Sequence, residues 1–229
     1  MVLKEKPLKS FVRFFHTYLD PAERLSEVLF GLIMVISITG TVNLILPSEE
    51  NSVRTLFKAA IGCNTAWGIV DGVLYVLNSV MHRSQRLKII QKVRQTKNFQ
   101  EALPLIADRL DSMMSPLVES VDRERLYQAI YKNLSKVPLE KGRLLKEDLL
   151  GAVASFFLVF LSTFPVTIPF LVISNPHLAL NISNLIGLTL LFIVGYRWGH
   201  FAMVRPLRPA FGMVLIGGTL IFITKLLGG

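Results

Sequence analysis

The chain has 229 residues, a formal net charge of +9, 52% hydrophobic residues and a mean hydropathy of +0.50. Soluble domains average roughly 45–50% apolar, so the distribution says more than the total: apolar residues pool into long runs, and the charges that collect between them argue against nucleic acid as the reason for the basic balance. A single cysteine, Cys63, excludes an internal disulfide framework and a zinc ribbon.

The first segment, residues 1–26, is a basic arm. Leu8, Phe11, Phe15 and Tyr18 recur at helical spacing over Leu8–Leu19, with Lys9, Arg13 and His16 mostly elsewhere, which predicts an amphipathic helix suited to a membrane interface. Asp20-Pro21 ends it. Charges interrupt the first twenty residues, so they lack the continuous apolar core of a cleavable signal.

A run of roughly 20 apolar residues crosses the hydrocarbon core. Five segments qualify: about Glu27–Leu46, stopped by Pro47, then Leu56–Met81, Leu149–Ile173, Leu178–Met203 and Pro209–Leu227. The chain therefore divides into spans one and two over residues 27–81, an insert over 82–147, and spans three to five over 148–229. The insert is helical in pattern but too polar to span. Pro104, Pro116 and Pro138 punctuate it into roughly three pieces, read as a small helical cap extending spans two and three. The expected fold is an all-α integral membrane protein, with five transmembrane helices and a small cytoplasmic helical insert between the second and third.

Orientation follows from Lys and Arg placement. Lys4, Lys6, Lys9, Arg13 and Arg24 precede span one; Arg83, Arg86, Lys88, Lys92, Arg94 and Lys97 follow span two; Arg205 and Arg208 follow span four. The Pro47–Thr55 loop has only Arg54 beside Glu49 and Glu50, and Ser174–His177 has no Lys or Arg. This alternation puts the N-terminus and insert in the cytoplasm and Gly229 outside. The expected membrane is a plasma (inner) membrane, or a vacuole-type membrane in a eukaryote.

Ionisable and amide groups inside a span are costly and face protein or water. In span two, Asn64, Gly68, Asp71, Tyr75, Asn78 and His82 follow steps of four and three residues, which keeps them on one helix face. The seam is either a hydrophilic cation pathway or an interface held by hydrogen bonds between helices. In span one, Glu27, Met34 and Thr41 share a face; the plainer reading of Glu27 is an interfacial charge near Arg24. Span three carries Ser155, Ser162, Thr163 and Thr167, and its Pro165 and Pro169 free carbonyls that need partners within protein or beside a cavity. In the insert, Asp108, Asp111, Met113 and Met114 form a possible divalent-metal set, against the blander reading of a solvated face. No Walker loop, dinucleotide fingerprint, zinc-protease motif or nucleophile elbow is present, so no enzyme activity is expected.

The layout of five spans with a helical insert after the second resembles the vacuolar iron transporter family. Ser79-Val80-Met81-His82-Arg83-Ser84-Gln85-Arg86 is similar to the family's polar exit of helix two. Ala154-Ser155-Phe156 through Phe164-Pro165-Val166-Thr167-Ile168-Pro169-Phe170 is similar to its third span, and Gly195-Tyr196-Arg197-Trp198-Gly199 through Gly217-Gly218 to its last two. The family's aspartate before a glycine in span one aligns with Phe30 before Gly31, its glutamate near the end of span two with Asn78, and a methionine one turn earlier with Leu74. The family's ligands therefore do not carry over to those positions. The resemblance implies a homodimer in the lipid bilayer, with a translocation path at the subunit interface. It implies export of a divalent cation, iron or manganese, from the cytoplasm, with exchange for protons as one form of coupling. The cation is substrate, with no permanently bound cofactor and no nucleic-acid partner. Asp71 would hold the ion or proton, with Asn64, Asn78, Tyr75, Glu27 and Met34 along the path. The alternatives are a non-transporting scaffold or regulator and a carrier of another solute.

Overall fold

The computed structural model describes residues 7–45, 51–134, 136–137 and 143–228. The end of span one at Leu46 and Pro47, the Glu49 and Glu50 loop, Lys4 and Lys6, Pro138 and Gly229 lie outside the described residues, as do the side chains of Leu8 and Lys9. The helices are α1 Pro7–Tyr18, α2 Pro21–Ile45, α3 Asn51–Gln95, α4 Phe99–Met114, α5 Ser120–Leu134, α6 Lys146–Thr167, α7 Pro169–Val172, α8 Pro176–Phe201 and α9 Leu207–Gly228; no strand occurs among the described residues. Five stretches are long and apolar enough to cross a membrane: Pro21–Val42, Val53–Gln95, Lys146–Thr167, Pro176–Phe201 and Leu207–Leu227. They fit a multi-pass membrane protein and correspond to the five expected spans. The contacts divide the chain into two units, one formed by Met1–Val76 with Lys146–Gly229 and the other by Leu77–Leu145.

In the first unit, α1 and α2 meet at a reciprocal cap. The Glu23 backbone N–H donates to Asp20 Oδ1 at 2.8 Å, and the Asp20 N–H donates to Glu23 Oε2 at 2.9 Å. Pro21 then fits the first helical position, where no donor is needed. The buried face of α1 is turned from the expected one: Phe15 and Leu19 are buried with Ala154, Phe14 and Tyr18 pack beside them, and Phe11 is exposed.

Helix α2 is central. It packs on α6, α8 and α9, and its Leu32, Val35 and Ile36 join Ala60, Val166, Leu191 and Val194 in one core cluster. The approach to α6 is closest at Gly31. A Cβ there would stand 2.1 Å from Ser162 Oγ and 2.7 Å from the Val159 carbonyl oxygen. Small residues at such contacts let helix backbones approach.

Of the two prolines of the third span, Pro165 lies inside α6 and Pro169 stands at the break that follows it. Helix α6 ends at Thr167 and α7 restarts at Pro169. The Val166 carbonyl at this break accepts a hydrogen bond from Ser183 Oγ on α8 at 2.7 Å. The α8–α9 turn closes with Val204 N–H donating to the Gly199 carbonyl at 3.0 Å and Met203 N–H to that of His200 at 3.3 Å. This is a Schellman ending with Met203, at φ 55°, in the left-handed position.

In the second unit, Val93, Ala102, Ile106 and Tyr127 form a core joining the latter part of α3 to α4 and α5. Asn98 caps α4 by accepting from the Glu101 N–H at 3.0 Å. Pro104 lies inside α4 rather than at a break. Its ring and Gln100, whose carbonyl it leaves without a helical donor, are on the exposed side, open to solvent. Pro116 does separate α4 from α5.

Gly31→Ala is expected to destabilise the protein by about 1–3 kcal/mol, because the Val159 backbone must move. Gly62→Ala, which meets no heavy atom within 4 Å, is expected to be neutral or to stabilise by about 0.5–1 kcal/mol. Thermal unfolding of both variants in detergent checks the opposite signs.

Candidate functional site

Three polar levels lie along α3, the first two joining it to α2 and α6 and the third to α1 and α6. At the first, the fully buried Asn64 donates through Nδ2 to the Gly31 carbonyl at 3.0 Å and to Thr163 Oγ1. Its Oδ1 is buried without a partner. Asn64 thus acts as glue between helices, one of the two readings open for the seam.

The second level holds the ionisable groups. Glu27 lies four residues before Gly31, Asp71 seven residues after Asn64, and Ser155 eight residues before Thr163. At about 1.5 Å of rise per residue, each helix advances from the Asn64 level in the sense that brings these residues together. The Glu27 carboxyl group meets the Ser155 hydroxyl and the Asp71 carboxyl group. The approaches are close without being well aligned, since Asp71 Oδ2 and Ser155 Oγ are buried with no well-formed hydrogen bond. Glu23 adds a further negative charge in range. Arg24 does not neutralise the group; its Nη1 donates to the Leu19 carbonyl at 2.7 Å. The structure therefore departs from the interfacial Glu27–Arg24 reading, because the end of α1 offers the guanidinium a carbonyl acceptor.

The third level is formed by Tyr75, whose hydroxyl donates to the Tyr18 carbonyl at 2.9 Å. Its ring lies against Gly151, where an added Cβ would stand 2.1 Å from Cε1. Between the levels, Gly68 and Gly72 of α3 rest on Phe156 and on the Ala152 carbonyl of α6. The seam is therefore turned inward from Asn64 to Tyr75. Asn78 and His82 are exposed and belong to the second unit. Met34 is half-buried, seven residues along α2 from Glu27 and past Gly31, and Thr41 is exposed. Asp71 sits at the edge of the buried face, next to the exposed flank of Trp67, Val70 and Leu74. Trp67 meets Phe30 edge-on at 5.7 Å between ring centroids.

In the second unit, Asp111 Oδ1 accepts from the Tyr127 hydroxyl at 2.7 Å and from Arg123 Nη1 at 3.2 Å. Asp108 and Met113 are exposed and Met114 is half-buried. One Asp111 oxygen is thus committed to α5, and the residue pair responsible, Arg123 and Tyr127, went unread in the sequence although they stand four apart on one helix face. Among the described residues, no group of three or more His, Cys, Asp or Glu side chains is placed to hold a metal ion. The membrane cluster contributes two carboxyl groups and one hydroxyl.

No known protein-family model matches the chain, and no curated protein does.

Burial, and then the hydrogen bond to the Asp111 carboxylate, raise the Tyr127 phenol above its ordinary value of 10. The folded unit holds that proton more tightly than the unfolded chain does. Its contribution to stability is therefore complete below about pH 10 and falls as pH rises through the folded value. Tyr127→Phe is expected to lower the melting temperature at neutral pH and to flatten the alkaline loss. Phenolate absorbance and melting curves across alkaline pH check both.

Proposed function

We propose that this protein is a membrane carrier of a divalent cation, in which Glu27, Asp71 and Ser155 bind either the ion or the protons exchanged for it. One observation carries the reading: two carboxyl groups from different membrane-crossing helices meet inside the bundle, with no basic side chain among the charged groups in range. A carboxylate pair in a low-dielectric setting requires compensating charge. One divalent cation or two protons supply the same amount, so the two compete for the same oxygens and their exchange is electroneutral at the site. The all-oxygen donor set suits hard cations, which favours manganese over iron as substrate.

The resemblance to vacuolar iron transporters supports a homodimer and export from the cytoplasm, and the alternation of basic loops supports a cytoplasmic insert. Asp71 borders the exposed Trp67, Val70 and Leu74 flank, so a second subunit against that flank would close the site at the subunit boundary. The rival reading, a non-transporting scaffold, draws on the role of Asn64 as interhelical glue and on Phe30, Leu74 and Asn78 at the family's ligand positions.

Manganese influx into proteoliposomes separates the two. Asp71→Asn and Glu27→Gln keep shape and hydrogen-bonding capacity while removing charge. On the carrier reading each lowers flux at least tenfold, with melting temperature unchanged, and wild-type influx is accompanied by proton release. A wild type that moves manganese and an Asp71→Asn variant that moves it equally well would remove Asp71 from the mechanism. A wild type inert toward all divalent cations would favour the scaffold.

A further inference from the structure

The second unit contains an open groove of about 450 Å3 between α4, α5 and the latter part of α3. Its floor is apolar, with Ile89, Val93 and Ile106 among its residues, and its rim carries His82, Arg86 and Arg109. No acidic side chain lines it. Arg86 and Arg109 are exposed and form no ion pair or hydrogen bond among the described residues. Other arginines of the same unit are engaged: Arg94 donates to the Leu134 carbonyl at 2.9 and 2.7 Å, and Arg123 to Asp111 at 3.2 Å. An apolar trough beside uncompensated guanidinium groups selects a ligand with an anionic head and a hydrocarbon tail.

The volume falls within the roughly 300–1,000 Å3 typical of small-ligand pockets. Guanidinium groups suit phosphate, which they bind through paired N–H donors. On α3, His82 directly follows Met81, the last residue of the expected apolar span, without a break in the helix. Along the chain the rim thus begins one residue after the expected end of span two, and basic residues next to a membrane-crossing helix attract anionic lipid.

We propose that this groove binds an anionic membrane phospholipid, its phosphate held by Arg86 and Arg109 and one acyl chain lying along the Ile89, Val93 and Ile106 floor. The inference is independent of cation transport.

The test uses the full-length protein, stripped of lipid in neutral detergent and examined by native mass spectrometry. Phosphatidylglycerol and phosphatidylcholine with identical acyl chains are the probes. Wild type is expected to retain phosphatidylglycerol at least tenfold better. Arg86→Gln with Arg109→Gln is expected to bring retention down to the phosphatidylcholine level. Ile90→Trp, which fills the groove and leaves the charges in place, is expected to lower it as well, and it decides the matter if the double variant fails to fold. Phosphatidylglycerol with a photoreactive acyl terminus should label peptides containing Ile89–Val93 or Leu105–Leu110. Equal retention of the two lipids, unchanged binding by a folded double variant, or label confined to the other membrane-crossing helices would each overturn the proposal. So would glycerol phosphate binding as tightly as the lipid, since the site would then recognise a headgroup alone.

Discussion

The Asn64 amide fixes three helices at once. Its two donors go to the Gly31 carbonyl of α2 and to Thr163 of α6, and this is possible because Gly31 lets α2 and α6 come within backbone contact. A bulkier residue at 31 would separate the helices and move the carbonyl that Asn64 needs. A single interhelical hydrogen bond in a membrane protein is worth only about 0.6 kcal/mol on average, so the bonds act mainly by setting register. Between apolar helices that could otherwise slide past one another, a fixed register decides which side chains face each other several residues away.

The Glu27–Asp71–Ser155 cluster depends on that register. None of the three is next to Asn64, and each is brought in by helical rise along its own chain segment. A slip of one turn would put Asp71 opposite apolar residues of α6 and leave a carboxyl group without a polar neighbour. Tyr75, seated in the space at Gly151 and bonded to the Tyr18 carbonyl, closes the far side of the cluster. The carboxyl pair thus lies between two polar contacts whose role is positional.

Much of this was readable in advance because helical periodicity is exact enough to mark a face. The seam from Asn64 through Tyr75 has the spacing of a buried stripe, and it is buried. The same spacing continues to Asn78 and His82, which are exposed, because periodicity records a face and not the point at which a neighbouring helix stops covering it. Glu27 was misleading for a different reason. Arg24 is its nearest opposite charge in sequence, and nothing in the sequence marks the Leu19 carbonyl as the better acceptor. Ser155 shares a buried face with Ser162 of the same helix, but spacing alone does not say that this face meets α2 and α3. Likewise, Asp111 shares a face with Asp108 on α4, and its commitment to α5 appears only once the two helices pack. Pro104 predicts a break, yet it lies inside α4, on an exposed face where the Gln100 carbonyl that it leaves unbonded is open to solvent.

The partners of α2 also impose an order of assembly. Its main neighbours, α6, α8 and α9, are all synthesised after the second unit, and the Asn64–Thr163 bond spans 99 residues of chain. Helix α2, made before these three partners, thus acquires its full set of contacts only once α9 has followed. During that interval Glu27 and Asp71 have each other at most, and Asn64 has Gly31 but not Thr163. Insertion and packing are therefore separate events for this chain, divided by the time needed to translate the whole of the intervening insert. Any helper that shields polar side chains within the bilayer would act in that window.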